Sequence, residues 1–256
     1  YCKVEVLYKG KDCDDILVLQ DDVYLSKEEE LVGVNSDMMT TNDVDIVNYD
    51  SIVTPDDLGE NRIVNIEFVV KGNIRVLSKE IVEFIKDAYS PSYAIDLVKK
   101  NYEVGITQGV VSTEIILKDN LYLKNENDKI GYILLAYGSP VITDKNVEED
   151  RIKVEGNIKV SVLYKTSDDD SKIDMCSGEI PFSTTVDLKG TKPNMSAICK
   201  VHLESLDATI EANTIAIRAT LSLNVKVCYK INKDWIVDIV ENNEEKVSKK
   251  ASVTIY

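Results

Sequence analysis

The sequence has one histidine (His202), one tryptophan and three phenylalanines among 256 residues. A lone histidine rules out a histidine-rich metal site and leaves nothing to orient a histidine base. A lone tryptophan is poor material for a sugar-stacking platform. No apolar run approaches the ~18 residues that a membrane helix needs. No Cys-x-x-Cys pair occurs, which disfavours zinc and thioredoxin-like chemistry. Positive charge is scarce too: 30 Lys and Arg face 45 Asp and Glu, for a net charge of −15. Such a surface repels nucleic acid and anionic membranes, so neither is an expected partner. The G-x-S-x-G, G-x-x-x-x-G-K-[ST], H-E-x-x-H and G-x-G-x-x-G signatures are all missing. The expectation is a protein with no enzymatic activity, no cofactor and no bound metal.

What the chain has in excess is Ile and Val, 58 together against 9 Ala. Stiff β-branched side chains favour strands and Ala favours helices, so the composition reads as all-β. Ile215, Ile217, Ala219, Leu221, Leu223, Val225 and Val227 alternate with more polar residues, one face buried and one wet. Cys199, Val201 and Leu203 alternate in the same way, and the parity then changes to Leu206, Ala208 and Ile210. That change predicts a β-bulge near Glu204-Ser205. Alternating strands joined by Asp, Gly, Asn and Pro turns predict antiparallel sandwich-like domains in tandem.

An internal repeat organises the chain. Lys3-Val4-Glu5-Val6-Leu7-Tyr8-Lys9 returns as Lys159-Val160-Ser161-Val162-Leu163-Tyr164-Lys165, identical at six of seven positions. Asn73-Ile74-Arg75-Val76 is answered by Asn224-Val225-Lys226-Val227. The expected division is a first β-domain over 1–76, a β-rich middle module over 77–149, a second copy over 150–232 and a C-terminal strand or extension over 233–256. Within the middle, 80–86, 102–117 and 132–137 read as strands, and Val253-Thr254-Ile255-Tyr256 reads as another at the end. The second copy has a lead-in, Arg151 to Gly156, with no counterpart before Tyr1. The expectation is therefore a chain cut from something longer, its first repeat short of its first strand.

Ile152-Lys153-Val154-Glu155-Gly156, then Val160-Ser161-Val162-Leu163-Tyr164, an acidic loop, and Gly178-Glu179-Ile180-Pro181-Phe182-Ser183 resemble the SPOCS domain. So does Asp87-Ala88-Tyr89-Ser90-Pro91 after the first copy. In the first repeat Asp21-Asp22-Val23-Tyr24-Leu25 replaces the Glu-Ile-Pro-Phe-Ser string. Domains of this family occur in clostridial spore-envelope proteins, including adaptors that hold the coat to the forespore surface. The resemblance implies a structural or adaptor component of the coat or exosporium, self-assembling through β-domain contacts. Its partners would be further copies of itself or other spore-envelope proteins. The alternative is a surface or secreted module that binds peptidoglycan, another carbohydrate or a peptide.

The candidate functional residues suit assembly. Cys2 and Cys199 share parity with apolar neighbours and read as small core residues. Cys13 and Cys176 are placed in acidic loops, and Cys228 just past a long strand. Cys13, Cys176 and Cys228 are candidate intermolecular cross-links, with reduced thiols of a reducing compartment as the other reading. Tyr is abundant, 13 residues, and its apolar body and wet tip suit interfaces. Tyr89, Tyr93, Tyr102, Tyr132 and Tyr137 gather in the middle stretch as a candidate subunit interface. The acidic clusters Asp12-Cys13-Asp14-Asp15, Asp21-Asp22, Asp56-Asp57 and Asp168-Asp169-Asp170 lack the spacing of a calcium loop and read as turns. His202 falls on the wet parity of its strand.

Overall fold

The computed structural model describes residues 2–11, 15–79, 81, 83–92, 94–123, 129–167 and 172–241. Ten strands run in chain order: β1 (Cys2–Lys9), β2 (Ile16–Val23), β3 (Met39–Pro55), β4 (Asn61–Leu77), β5 (Ile95–Tyr122), β6 (Ile130–Glu148), β7 (Arg151–Thr166), β8 (Ile173–Asp187), β9 (Ser196–Glu211) and β10 (Thr214–Glu241). All the pairings are antiparallel. The all-β expectation holds: among the described residues there is no helix, and no sheet closes into a barrel. The strand expected over 80–86 does not form; its described residues, 81 and 83–86, lie outside any strand. A strand apolar on both faces needs cover on both, and here Ile81, Phe84 and Ile85 are all exposed. The strand expected at 253–256 lies outside the described residues.

The chain divides into two compact units, residues 1–26 with 85–256, and residues 27–84. The first contains a sandwich of two three-stranded sheets, ordered β6-β7-β8 and β5-β10-β9. The stretch 77–149 thus supplies β5 and β6, and both pair into the same sandwich as β7–β10. Alternation marks a strand and its buried face but says nothing of its neighbour. Here β5 pairs with β10 across most of the sequence of the unit, Leu117 facing Ala219.

The core lies between the sheets. Ile215, Ile217, Ala219, Leu221, Leu223, Val225 and Val227 line one side of β10, each 0–2% exposed. Opposite them Ile152, Val154, Ile158, Val160 and Val162 of β7 are fully buried. Each large aliphatic side chain so buried contributes about 1.5–3 kcal/mol before entropy is counted. Glycines let the sheets approach where large side chains cross over. Gly138 on β6 and Gly178 on β8 both face Val160. Leu203 and Ile158 fill the space over Gly138, and Leu121 fills that over Gly178. Gly156 faces Phe182 across β7 and β8, so the Val-Glu-Gly and Glu-Ile-Pro-Phe-Ser strings meet as one cross-strand pair. Beyond Cys228 and Thr107, β10 and β5 continue as a two-stranded ribbon out to Glu241 and Ile95.

The β1–β2 hairpin belongs to this first unit. The Lys165 ammonium, its side chain only 9% exposed, forms an ion pair with the Asp15 carboxylate. The Tyr132 hydroxyl donates to the Ile16 carbonyl at 3.4 Å, and the Lys165 nitrogen lies 5.7 Å from the Tyr132 ring centroid.

The second unit is the β3–β4 hairpin with its flanks. Its turn is built by Asp56, whose Oδ1 accepts the amides of Leu58 and Glu60, both at 2.9 Å. That is turn chemistry, as expected for the Asp56-Asp57 pair. No described residue of 27–84 is buried.

Candidate interaction surfaces

The repeat seen in sequence extends to strand register. In β9–β10, Ala197 faces Val227, Cys199 faces Val225 and Leu203 faces Leu221; Glu204 is left unpaired. That is the bulge expected from the parity change. In β3–β4, Thr40 faces Val76, Asn42 faces Ile74 and Ile46 faces Val70; Val47 is left unpaired. Every one of these positions in the first hairpin corresponds to one in the second, the bulge included. The other pair matches as well: Lys9 faces Ile16 and Val6 faces Leu19, as Lys165 faces Ile173 and Val162 faces Cys176.

The link before each second hairpin carries a shared signature that sequence reading missed. Leu31-x-Gly33 with Met38 answers Leu188-x-Gly190 with Met195. Gly33 and Gly190 both adopt left-handed backbone, φ 87 and 85, which L side chains resist. Five residues on from each glycine, the methionine amide donates to the carbonyl three residues back, 3.2 Å for Met38 to Asn35 and 2.9 Å for Met195 to Lys192. Spacing alone could have revealed it.

The equivalence exposes an asymmetry. Val64, Ile66, Phe68, Val70, Ile74 and Val76 on β4 hold the places of Ile215, Ile217, Ala219, Leu221, Val225 and Val227. Of these six, Ile74 is 54% exposed and the other five are half-buried, whereas all six β10 residues are buried; on β3, Val44, Ile46, Tyr49 and Val53 are exposed. On β1–β2, Tyr8, Leu17 and Leu19 share the face equivalent to the buried face of β7–β8, yet all three are exposed.

The anticipated site residues fall in several places. Cys13 and Tyr93 lie outside the described residues. Cys176 is not in a loop: it sits on β8, buried, and its thiol donates to the Tyr122 carbonyl at 3.1 Å. The acidic run beside it suggested a loop, but Cys176 follows the alternation that puts Ile180 and Phe182 inside. In this fold it cannot reach another chain. Cys228 is half-buried at a register shift of β10, its sulfur 3.8 Å from Thr107 Oγ1. Cys2 and Cys199 are half-buried, and burial pushes the Cys199 thiol up against an opposing pull from Lys145. His202 is exposed on β9, opposite Ser222.

The tyrosines are distributed over several elements. Tyr89 is exposed outside any strand, and Tyr102 lies on the β5–β10 ribbon with the Lys100 nitrogen 5.2 Å from its ring centroid. Tyr132 and Tyr137 lie on β6. Tyr137 donates to the Met175 sulfur at 3.9 Å, and Tyr132 is engaged by Lys165 and Ile16. Its contacts hold β1–β2 against the sandwich. The ion pair and hydrogen bond from Asp15, with a further contribution from Tyr132, outweigh burial and hold the Lys165 ammonium above its ordinary range. Among the described residues, no cluster of three or more His, Cys, Asp or Glu could hold a metal ion.

Residues 129–211 match the family model described as SipL, SPOCS domain. The SPOCS resemblance read from the residue strings is shown over that span, and it suggests a sporulation-related protein. The SPOCS match runs from the start of β6 to the end of β9, so β5 and β10 complete the sandwich from outside it. No curated protein and no solved structure matches the chain.

Proposed function

We propose that the protein is a non-enzymatic structural or adaptor component of the bacterial endospore envelope, in the coat or exosporium. It assembles through β-domain contacts with copies of itself or with other envelope proteins. The observation that carries this reading is the SPOCS match over residues 129–211. The assembly part is supported by the large apolar side chains exposed on each of the two hairpins, Tyr8, Leu17 and Leu19 on β1–β2 and Val44, Ile46 and Ile74 on β3–β4. A net charge of −15 keeps such subunits apart in solution until specific faces meet. The test is a fluorescent fusion followed through sporulation in the source organism, with electron microscopy of the purified protein. A ring around the forespore and regular particles or sheets are expected. Diffuse mother-cell fluorescence with a monodisperse monomer would overturn the proposal.

A further inference from the structure

The two-stranded ribbon leaves one side of β10 open. Up to Cys228 that strand lies between β5 and β9, and its pairing with β9 ends there, opposite Ser196. From Tyr229 to Glu241 it keeps β5 on one side, and among the described residues no strand lies on the other. Alternate backbone amides and carbonyls of residues 229–241 therefore point outward, a template on which a further strand pairs. The bulge at Val237 sets what that strand can be. Ile231, Lys233, Asp238 and Val240 face Val104, Tyr102, Val98 and Asp96 of β5. Those β5 residues share one parity, so the four β10 residues share one side of the ribbon despite the odd step from Lys233 to Asp238. Lys233 and Asp238 are both exposed, and neither is in an ion pair among the described residues. The Asp238 carboxylate accepts only the amide of its neighbour Ile239, at 2.9 Å.

We infer that the open side of β10 pairs antiparallel with the same side of a second copy across a two-fold axis, joining two ribbons into one four-stranded sheet. Residues opposite each other in such a pair must lie on one side of the sheet. Because the bulge changes the parity, this sets odd-numbered residues before it against even-numbered residues after it. One such register places Lys233 opposite Asp238 of the second copy, Ile231 opposite its Val240 and Asn232 opposite its Ile239. The two-fold repeats every match. A shift of two residues either way sets Asp238 against Ile231 or Trp235 and forfeits both charge pairs. The strand thus carries both halves of its own complement, which favours a second copy over an unrelated strand. The pairing is isologous and closed, so it yields a discrete pair. A contact over residues 230–241 is ~40 Å long at ~3.4 Å per residue and ~10 Å deep, the thickness of a sheet layer. Counted on both copies it buries on the order of 800 Å², the range of weak, reversible interfaces. This inference deepens the assembly reading of the previous section and rests on it.

The test is sedimentation velocity over a concentration series reaching the high micromolar range, on the whole chain and on three variants. The wild type should pass from monomer to dimer as concentration rises. Lys233→Glu sets like charges opposite each other at both symmetry-related pairs and should weaken the dimer at least ~10-fold. Lys233→Glu/Asp238→Lys restores opposite charges in exchanged places and should return the dimer to within ~3-fold of wild type. Lys159→Glu makes the same change of net charge at an exposed position of β7 and should leave the dimer intact. Far-ultraviolet circular dichroism checks that each variant retains its strands. Amide hydrogen exchange supplies a second readout: the outward amides of residues 229–241 should gain protection as concentration rises, while those facing β5 stay as they are. A wild type monomeric throughout, a dimer insensitive to Lys233→Glu, equal effects of Lys233→Glu and Lys159→Glu, or a double variant that fails to recover would each overturn the inference. So would outward amides protected in the monomer at every concentration, the sign that the chain covers its own edge. A dimer that behaves as described but builds nothing larger and stays away from the spore leaves the inference standing and removes the functional reading. Larger assemblies indifferent to Lys233→Glu do the reverse.

Discussion

Replacing Gly156 with Ala tests whether the cross-strand pair joining the two SPOCS strings holds the sandwich together. Gly156 is on β7, the central strand of its sheet, between Ile142 on β6 and Phe182 on β8. A Cβ added there would lie 2.8 Å from Phe182 Cε1, and closer still to Phe182 Cζ and the Val141 carbonyl oxygen. Carbon atoms at van der Waals contact sit ~3.5–4.0 Å apart, so the new methyl overlaps two groups at once. The ring can swing, but the carbonyl belongs to the backbone of a neighbouring strand and cannot move without disturbing the ladder. Overpacking of this kind costs about 1–3 kcal/mol, and the backbone clash places Gly156→Ala at the upper end, ~3 kcal/mol. For a unit of this size that lowers Tm by roughly 6–12 °C. Urea unfolding followed by circular dichroism, with the scan repeated on Gly156→Ala/Phe182→Leu, measures it. The double variant should recover only part of the loss, since trimming the ring leaves the Val141 oxygen in place. A Gly156→Ala change within ~0.5 kcal/mol of wild type, or full rescue by Phe182→Leu, would refute the argument.

Two further predictions concern the hairpin anchor and the thiols. Folding raises the Lys165 pKa, so its contribution is fully present below the unfolded Lys value of ~10.4 and is lost as pH climbs through the folded one. The wild-type urea midpoint should therefore fall more steeply above pH ~10 than that of Lys165→Met, and parallel curves would refute the anchor. A colorimetric thiol reagent should label Cys228 and Cys2 in the native protein and Cys176 only on unfolding; native labelling of Cys176 would contradict its burial on β8.

Sequence reading went furthest where one physical rule acted alone. The alternation from Ile215 to Val227 placed the core face of β10, because a period of two with one apolar side has a single way to be buried. The parity change at Glu204 located a bulge for the same reason. The reading failed where two signals competed. At Cys176 acidic neighbours suggested a loop, while the alternation carried the side chain inward. At 80–86 apolar β-branched composition suggested a strand, but a strand apolar on both faces needs cover on both, and no sheet takes the described part of it up. The Lys165–Asp15–Tyr132 contact was invisible, since it joins residues far apart in sequence through tertiary packing. The Leu-x-Gly link with its methionine was visible in principle, and its spacing is more regular than that of the strands it joins.

The pairing of β5 with β10 has a consequence for how the protein is made. During synthesis β5 emerges about a hundred residues ahead of the strand it must pair with, and long-range pairing of this kind is slow. Until β10 leaves the ribosome, β5 and β9 have no central strand between them, and the inner side of the β6-β7-β8 sheet faces water. The nascent chain passes through a stage at which the apolar inner face of its second repeat has no cover. A cell making many copies at once must keep neighbouring chains from pairing during that interval, and the acidic surface is a ready means of doing so.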